Sequence, residues 1–536
     1  MNTLSFPELL RIAGKSAPVS ALSAAFASGK FPLEIAGCEG AFASLLLAKL
    51  YAAKPGRYFA VVPQENDAAD FAADLSALGL PCGEFPWWGA APYRELSPFS
   101  AVFGERAKML SDLALGKPGI VVIPQRAFLT PLPPPDYIKS LLVPVKPKGK
   151  IDTAALARTL TAYGYTRVPQ VQMQGEFALR GEVLDIYMGG NCAEFGGAET
   201  SGTAVAYRIL FDFDQVESIK CFDPLMQGSG PGREKLSELA ICPMREVVWT
   251  DERIEALAEN LAACKEFSDG GKGIIEELIS RRTIPGEEML YPLAFNKGGV
   301  GNGEWGVGNT GNLLDYLGTT GTLVLIDRER LENAQESLNR EYHSLYLRSQ
   351  KELHGPKPSQ YPLPERLLLN FSELMDCRGK QSPLISFKNI KTEPKPDVHH
   401  FDVRCESARS FFGNINYLKE EFASLHESGW HIIVAAESEV QAERIRSILV
   451  PHKLLSIMAS SLSAGFSLPE LKFMLVQENE IFGRRKRPPR SLKTARSSPI
   501  DTFVELNPGD YVVHVNHGIG LFKGIERINA LGYERD

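Results

Sequence analysis

No two of the eight cysteines in this 536-residue chain form a CxxC pair, and the closest two, Cys221 and Cys242, stand well apart. That excludes a zinc ribbon and a disulfide framework, and it suits a reducing compartment. Nor is there a run of about 20 apolar residues, the length that crosses a bilayer. The opening MNTLSFPELLRIAGKSAP lacks the apolar stretch and cleavage site of a secretory signal. Basic charge is not in excess either: the formal net charge is −7, so any contact with DNA has to be local rather than spread over the chain. His399-His400 and the pair His514 and His517 have no third ligand at metal spacing, and no GxSxG occurs. These absences point to a soluble, cytoplasmic, monomeric protein without a membrane partner, a metal or a resident cofactor. The length is too great for one hydrophobic core and implies roughly three to five domains.

What is present reads first as α/β. Leu33 to Ala36 forms a short apolar strand, followed by a turn at Gly37-Cys38-Glu39-Gly40 and a helix from Ala41 to Tyr51. Strands at Tyr58 to Val62 and Gly119 to Ile123 alternate with helices in AADFAADLSALGL and GERAKMLSDLAL, a pattern that implies a doubly wound parallel sheet over 1–125. PLPPP marks a boundary, after which a helix at 152–163 and paired alternating strands predict an α+β insert over 126–225. A segment at 226–344 contains the strand Thr322 to Ile326. Its Gly-rich stretch 298–312 reads as a loop, because no strand precedes it. A further α/β domain is expected over 345–482. The linker 483–500 carries seven basic and no acidic residues between Arg484 and Arg496, and two readings stand for it: a solvated tether, or a salt-sensitive neutraliser of nucleic-acid backbone. From 501 to 536 the alternation and glycines predict the start of a small β-barrel, cut inside its own domain.

The turn after the first strand occupies the place of a phosphate loop, GxxxxGK[ST], in which backbone amides wrap phosphates, the lysine neutralises them and the hydroxyl holds magnesium. Here Gly37 and Ser44 survive, but Phe42 stands for the second glycine and Ala43 for the lysine, while Glu39 adds a negative charge. Nothing offsets the desolvation of a triphosphate. Leu325-Ile326-Asp327 reads either as a magnesium-holding strand end or as a simple helix cap, and Arg328 follows where an ATPase has its catalytic Glu. Two halves of an ATP site, Gly37, Ala43 and Ser44 in one and Asp327 and Arg328 in the other, are eroded together.

With these pieces in place the chain resembles the N-terminal half of the bacterial transcription-repair coupling factors. GYTRVPQVQMQGEFALRGEVLDIYM with YRILFDFDQVESIKCFDP is similar to the UvrA-docking domain shared with UvrB. SAGFSLPELKFMLVQENEIFGRRKR and GDYVVHVNHGIGLFKGIERI are similar to the end of the family's third domain and the opening of its RNA-polymerase-interacting domain. The resemblance implies that 1–125 and 226–344 are two pieces, 1a and 1b, of one UvrB-like, RecA-like module with a degenerate P-loop, interrupted by the insert. It implies UvrA binding through Arg167, Phe177 and Arg180, where arginine forks pair with carboxylates, with Ala178 replacing a further arginine of UvrB. The plainer readings are exposed strand residues for the arginines, and a core position for Phe177, which alternation puts on the face opposite Arg180. It implies binding of the RNA polymerase β subunit by strand pairing along Lys523, Gly524, Ile525, Glu526, Arg527 and Ile528. Catalytic residues are expected to be absent here. The ATP- and magnesium-dependent DNA translocase is expected beyond Asp536, and DNA contacts mainly with that motor or with the basic linker. The rival reading is an ATP-dependent damage-recognition subunit of the UvrB type.

Overall fold

In a computed structural model the chain divides into Met1–Gly483 and Arg484–Asp536. Side chains are described for most of residues 8–93, 98, 101–190, 206–224, 235–264, 267, 271–295, 310–350, 361–378, 382–389, 396–411, 413–449, 456–460 and 462–483; backbone alone is described for 511–514, 518–521, 528–530 and 533–535.

Seven strands form the largest sheet, all parallel. In spatial order they are His399–Asp402, Leu33–Ala36, Leu384–Lys388, Thr322–Ile326, Arg57–Val62, Gly119–Pro124 and Cys82–Glu84. A parallel sheet covered on both faces needs strands that are largely apolar, and LEIA, RYFAVV, GIVVIP and TLVLI supply them, with the buried Glu34 as an exception. Along Arg57–Val62 the side chains alternate between two cores. Tyr58, Ala60 and Val62 pack with helix Phe42–Ala53, and Phe59 and Val61 with the helices on the opposite face. Helix Phe42–Ala53 is buried along most of its length rather than on one stripe, because chain covers it on both sides.

Strand Leu384–Lys388 sits between the strands at 33–36 and 322–326, and His399–Asp402 flanks 33–36 on the other side. The first module therefore extends to about residue 402. The boundary expected at 344/345 is corrected: 384–402 belongs to the first sheet because its backbone pairs there. The following α/β unit is a five-stranded sheet ordered Glu406–Ser407, Phe466–Leu468, Phe473–Gln477, His431–Ala435 and Ser456–Met458. Its Ile433, Phe466, Leu468, Phe473 and Leu475 share one core with helix Phe42–Ala53, so the two units are packed, not tethered.

The insert is a six-stranded sheet ordered Lys235–Leu236, Gln215–Phe222, Ala206–Asp212, Val183–Ile186, Glu176–Arg180 and Thr166–Arg167. One face of it packs in a shared core with helix Thr153–Ala162, which the Asp152 carboxylate caps by accepting from the amides of Ala154 and Ala155 at 2.9 Å. The entering strand Val143–Val145 pairs with the leaving strand Leu239–Ile241. The insert thus spans about 143–241 rather than 126–225. Beyond it, Glu246 meets Arg106 of helix Ser100–Ala114 in a fully buried ion pair at 2.5 Å, with the guanidinium over the Trp88 and Phe85 rings at 3.9 and 4.4 Å. Among the described residues no helix is long and apolar enough to cross a membrane. In the terminal unit, Tyr511–His514 pairs with Gly518–Leu521 and Ile528–Ala530 with Tyr533–Arg535, both antiparallel.

Candidate functional site

The turn after strand Leu33–Ala36 lies at the carboxyl edge of the parallel sheet, where open α/β folds hold ligands. Gly37 and Gly40 adopt φ of +78° and +57°, a left-handed backbone that glycine adopts readily. The amides of the turn point at the chain itself. Gly37 N and Cys38 N donate to the Lys388 carbonyl at 2.9 and 3.4 Å, and Ala41 N donates to the Ala464 carbonyl at 3.4 Å. A Cβ on Gly40 would overlap the Gly465 carbonyl oxygen. Phe42, in the place of the second glycine, packs its ring against that of Phe466 in a tilted arrangement, centroids 5.1 Å apart. The cradle is filled by residues 462–466 of the neighbouring α/β unit.

Ser44 is buried and donates to Asp74 Oδ2 at 3.1 Å. Asp74 also accepts from the Ser463 amide at 2.5 Å and the Ser463 hydroxyl at 2.7 Å. Burial pushes the Asp74 carboxyl up to about 6, against three hydrogen bonds that pull it down. Ala43 is buried in the same core, and the lysine of its own helix, Lys49, lies beside Gly14. A lysine does arrive from another strand: Lys388, whose Nζ lies 2.9 Å from Glu34 Oε2 and 3.8 Å from Glu329 Oε1. His400 Nδ1 meets the other Glu34 oxygen at 3.1 Å. Burial raises the Glu34 carboxyl, but Lys388 and His400 outweigh it and hold the group below its ordinary value. This lysine is committed to carboxylates.

Asp327 and Arg328 reach the same carboxyl edge, one strand away from Gly37. Asp327 has φ +53° and its carbonyl accepts from Leu331 N at 3.1 Å, opening helix Arg328–Glu352. Arg328 pairs with Glu332 one turn on at 2.7 Å. Both are placed as a helix start.

On the insert, Arg180 is half exposed and bonds Asp185 Oδ2 at 2.6 Å. Arg208 forks onto the same carboxylate, Nε to Oδ1 at 2.6 Å and Nη2 to Oδ2 at 2.8 Å, with its guanidinium 4.7 Å above the Phe222 ring. Asp185 is buried and so orders two cationic head groups on one face, raising the Arg208 pKa. Ala178 lies buried on that face beside Tyr187 and Phe222. Phe177 is fully buried in the opposite core. A contact role for it is corrected, since alternation turns it inward. Arg167 is exposed and in register with Phe177, hence on the other face from Arg180. The sequence signal for Arg208 was its strand, paired with Asp185, though nothing local announced the fork. Lys523, Gly524, Ile525, Glu526 and Arg527 lie outside the described residues. Ile528 opens strand Ile528–Ala530. Among the described residues no group of three or more His, Cys, Asp or Glu could hold a metal.

A family model described as UvrB interaction domain matches residues 143–246, beginning with the entering strand and ending five residues past the leaving one, and one described as CarD-like/TRCF RID domain matches 506–536. Proteins named transcription-repair-coupling factor match nearly the whole chain. That of Borreliella burgdorferi is 28% identical over 512 residues, covering 94% of this chain and 41% of the relative. The chain is similar to the N-terminal part of transcription-repair-coupling factors. Those of Bacillus subtilis and Haemophilus influenzae are 27% and 26% identical, covering 81% and 84% of this chain and 36% and 38% of their own lengths. The chain thus spans about two fifths of the transcription-repair-coupling factors it matches.

Proposed function

We propose that this chain is the recruiting half of a transcription-repair coupling factor. It meets stalled RNA polymerase through the terminal unit, by strand pairing near Ile528, and brings in UvrA through the insert. Its first module is a RecA-like fold reused as a scaffold. The observation that carries this reading is the filled cradle. Residues 462–466 occupy the space of the phosphates, and Ser44 is tied to Asp74. A chain that neither binds nor hydrolyses ATP here acts by contact. Translocation on DNA, with ATP and magnesium, belongs to the rest of the whole protein.

On the insert, Arg180 and Arg208 are the contact residues for carboxylates on UvrA, held splayed by Asp185. Arg167 contributes from the sheet edge and Phe177 supports from the core. The test is capture of purified UvrA by the chain. Arg180→Gln, which leaves the Arg208 fork on Asp185 in place, is expected to weaken capture strongly while leaving the fold intact by circular dichroism; undiminished capture refutes the site. Titration of the chain with magnesium and ATP is expected to give no heat, and micromolar affinity would restore the UvrB-type alternative.

A further inference from the structure

The hairpin joining strands Ala206–Asp212 and Gln215–Phe222 turns through Phe213 and Asp214. Phe213 is 83% exposed, the most exposed large apolar side chain among the described residues. Its backbone sits at φ +54°, a conformation that Gly, Asn or Asp adopts easily and an aromatic residue does not. Turn stability and solubility both argue against phenylalanine at this point, so its presence calls for a use. The position supplies one. The Phe211 amide donates to the Glu182 carbonyl at 2.8 Å, which places this tip beside the turn Gly181-Glu182. That neighbouring turn is closed by the pair Arg180 and Val183.

We propose that Phe213 is an apolar anchor that enters a pocket on the protein partner of the insert, next to the carboxylates that Arg180 engages. The proposal rests on the reading of the insert as a UvrA-binding domain and deepens it. A rigid aromatic beside a charged pair is the composition of an interface hot spot. Asp212 and Asp214, both exposed on either side of Phe213, would repel phosphates, which favours a protein over a nucleic acid.

Binding of purified UvrA to the chain is measured for the parent, F213N, F213Y and R180E. F213N suits the left-handed backbone and is expected to melt no lower than the parent while binding UvrA at least tenfold more weakly. F213Y is expected to stay within threefold. F213N binding within twofold of the parent overturns the anchor, and if R180E then still loses binding, the UvrA reading itself stands. A parent that does not bind UvrA sinks both. Should F213N melt lower, F213G replaces it with the same criteria. Loss by F213N of fluorescent single-stranded DNA binding, with UvrA binding kept, identifies a nucleic-acid occupant and likewise overturns the proposal.

Discussion

Replacing Asp74 by asparagine probes the contact between the first module and the unit that fills its cradle. Asp74 is 2% exposed, and among the described residues its Oδ1 and Oδ2 accept from Ser463 and Ser44. No cation faces it in that set of partners, so burial dominates and its carboxyl titrates at about 6 rather than the ordinary 3.8. A folded state that takes up its proton first on acidification gains stability as pH falls. The contribution is fully present below about 4 and is lost as pH rises through about 6. Between those limits the change is about 3 kcal/mol, from a separation of roughly 2 pH units at about 1.4 kcal/mol each. Asparagine keeps the acceptor for the Ser463 amide and offers its NH2 to hydroxyl oxygens, and it carries no charge at any pH. The difference in unfolding free energy between D74N and the parent should therefore rise by about 3 kcal/mol from pH 4 to pH 7, whatever constant offset the amide introduces. Urea midpoints followed by tryptophan fluorescence across that range measure it. A difference that stays flat refutes the reasoning, since Asp74 would then ionise as freely in the folded chain as in the unfolded one.

Gly40→Ala should destabilise the 1–483 unit by at least about 1–2 kcal/mol for the left-handed backbone alone, with more from the Gly465 carbonyl it displaces. A melting temperature unchanged within a degree would contradict the packing. Restoring the lysine, Ala43→Lys, should not create ATP binding by calorimetry, because residues 462–466 still fill the turn; it should lower the melting temperature by burying an ammonium. Dissociation constants in the micromolar range would show the cradle to be open. Arg106→Leu strands the buried Glu246 carboxylate, and a loss of about 3–5 kcal/mol is expected. Here the chemical midpoint is the readout, and a loss under 1 kcal/mol would mean that the pair is solvated.

Parts of this fold are written in short stretches of chain. The parallel strands Leu33–Ala36 and Thr322–Ile326 were legible to the residue as short, mostly apolar runs, because a strand covered on both faces is largely apolar. The insert hairpins were legible from strict alternation, and the same alternation placed Phe177 opposite Arg180. The missing lysine at Ala43 needed only the spacing from Gly37. These are local signals with a direct physical cause.

The tertiary structure decided what depends on partners far along the chain. Nothing near LISFK or HHFD distinguishes a strand of the first sheet from one of the next, and only pairing with Leu33–Ala36 assigns them. The same holds for Leu239–Ile241, claimed for the insert by a strand almost a hundred residues earlier. A buried charge is tolerated only where groups converge to satisfy it, and Ser463 for Asp74, with Lys388 and His400 for Glu34, come from elements widely separated in sequence. So the sequence by itself determined that Ala43 stands where a phosphate loop would carry its lysine. That Phe42, Gly40 and Asp74 had become the socket for residues 462–466 was decided by packing alone, since a socket exists only when both of its sides are in place.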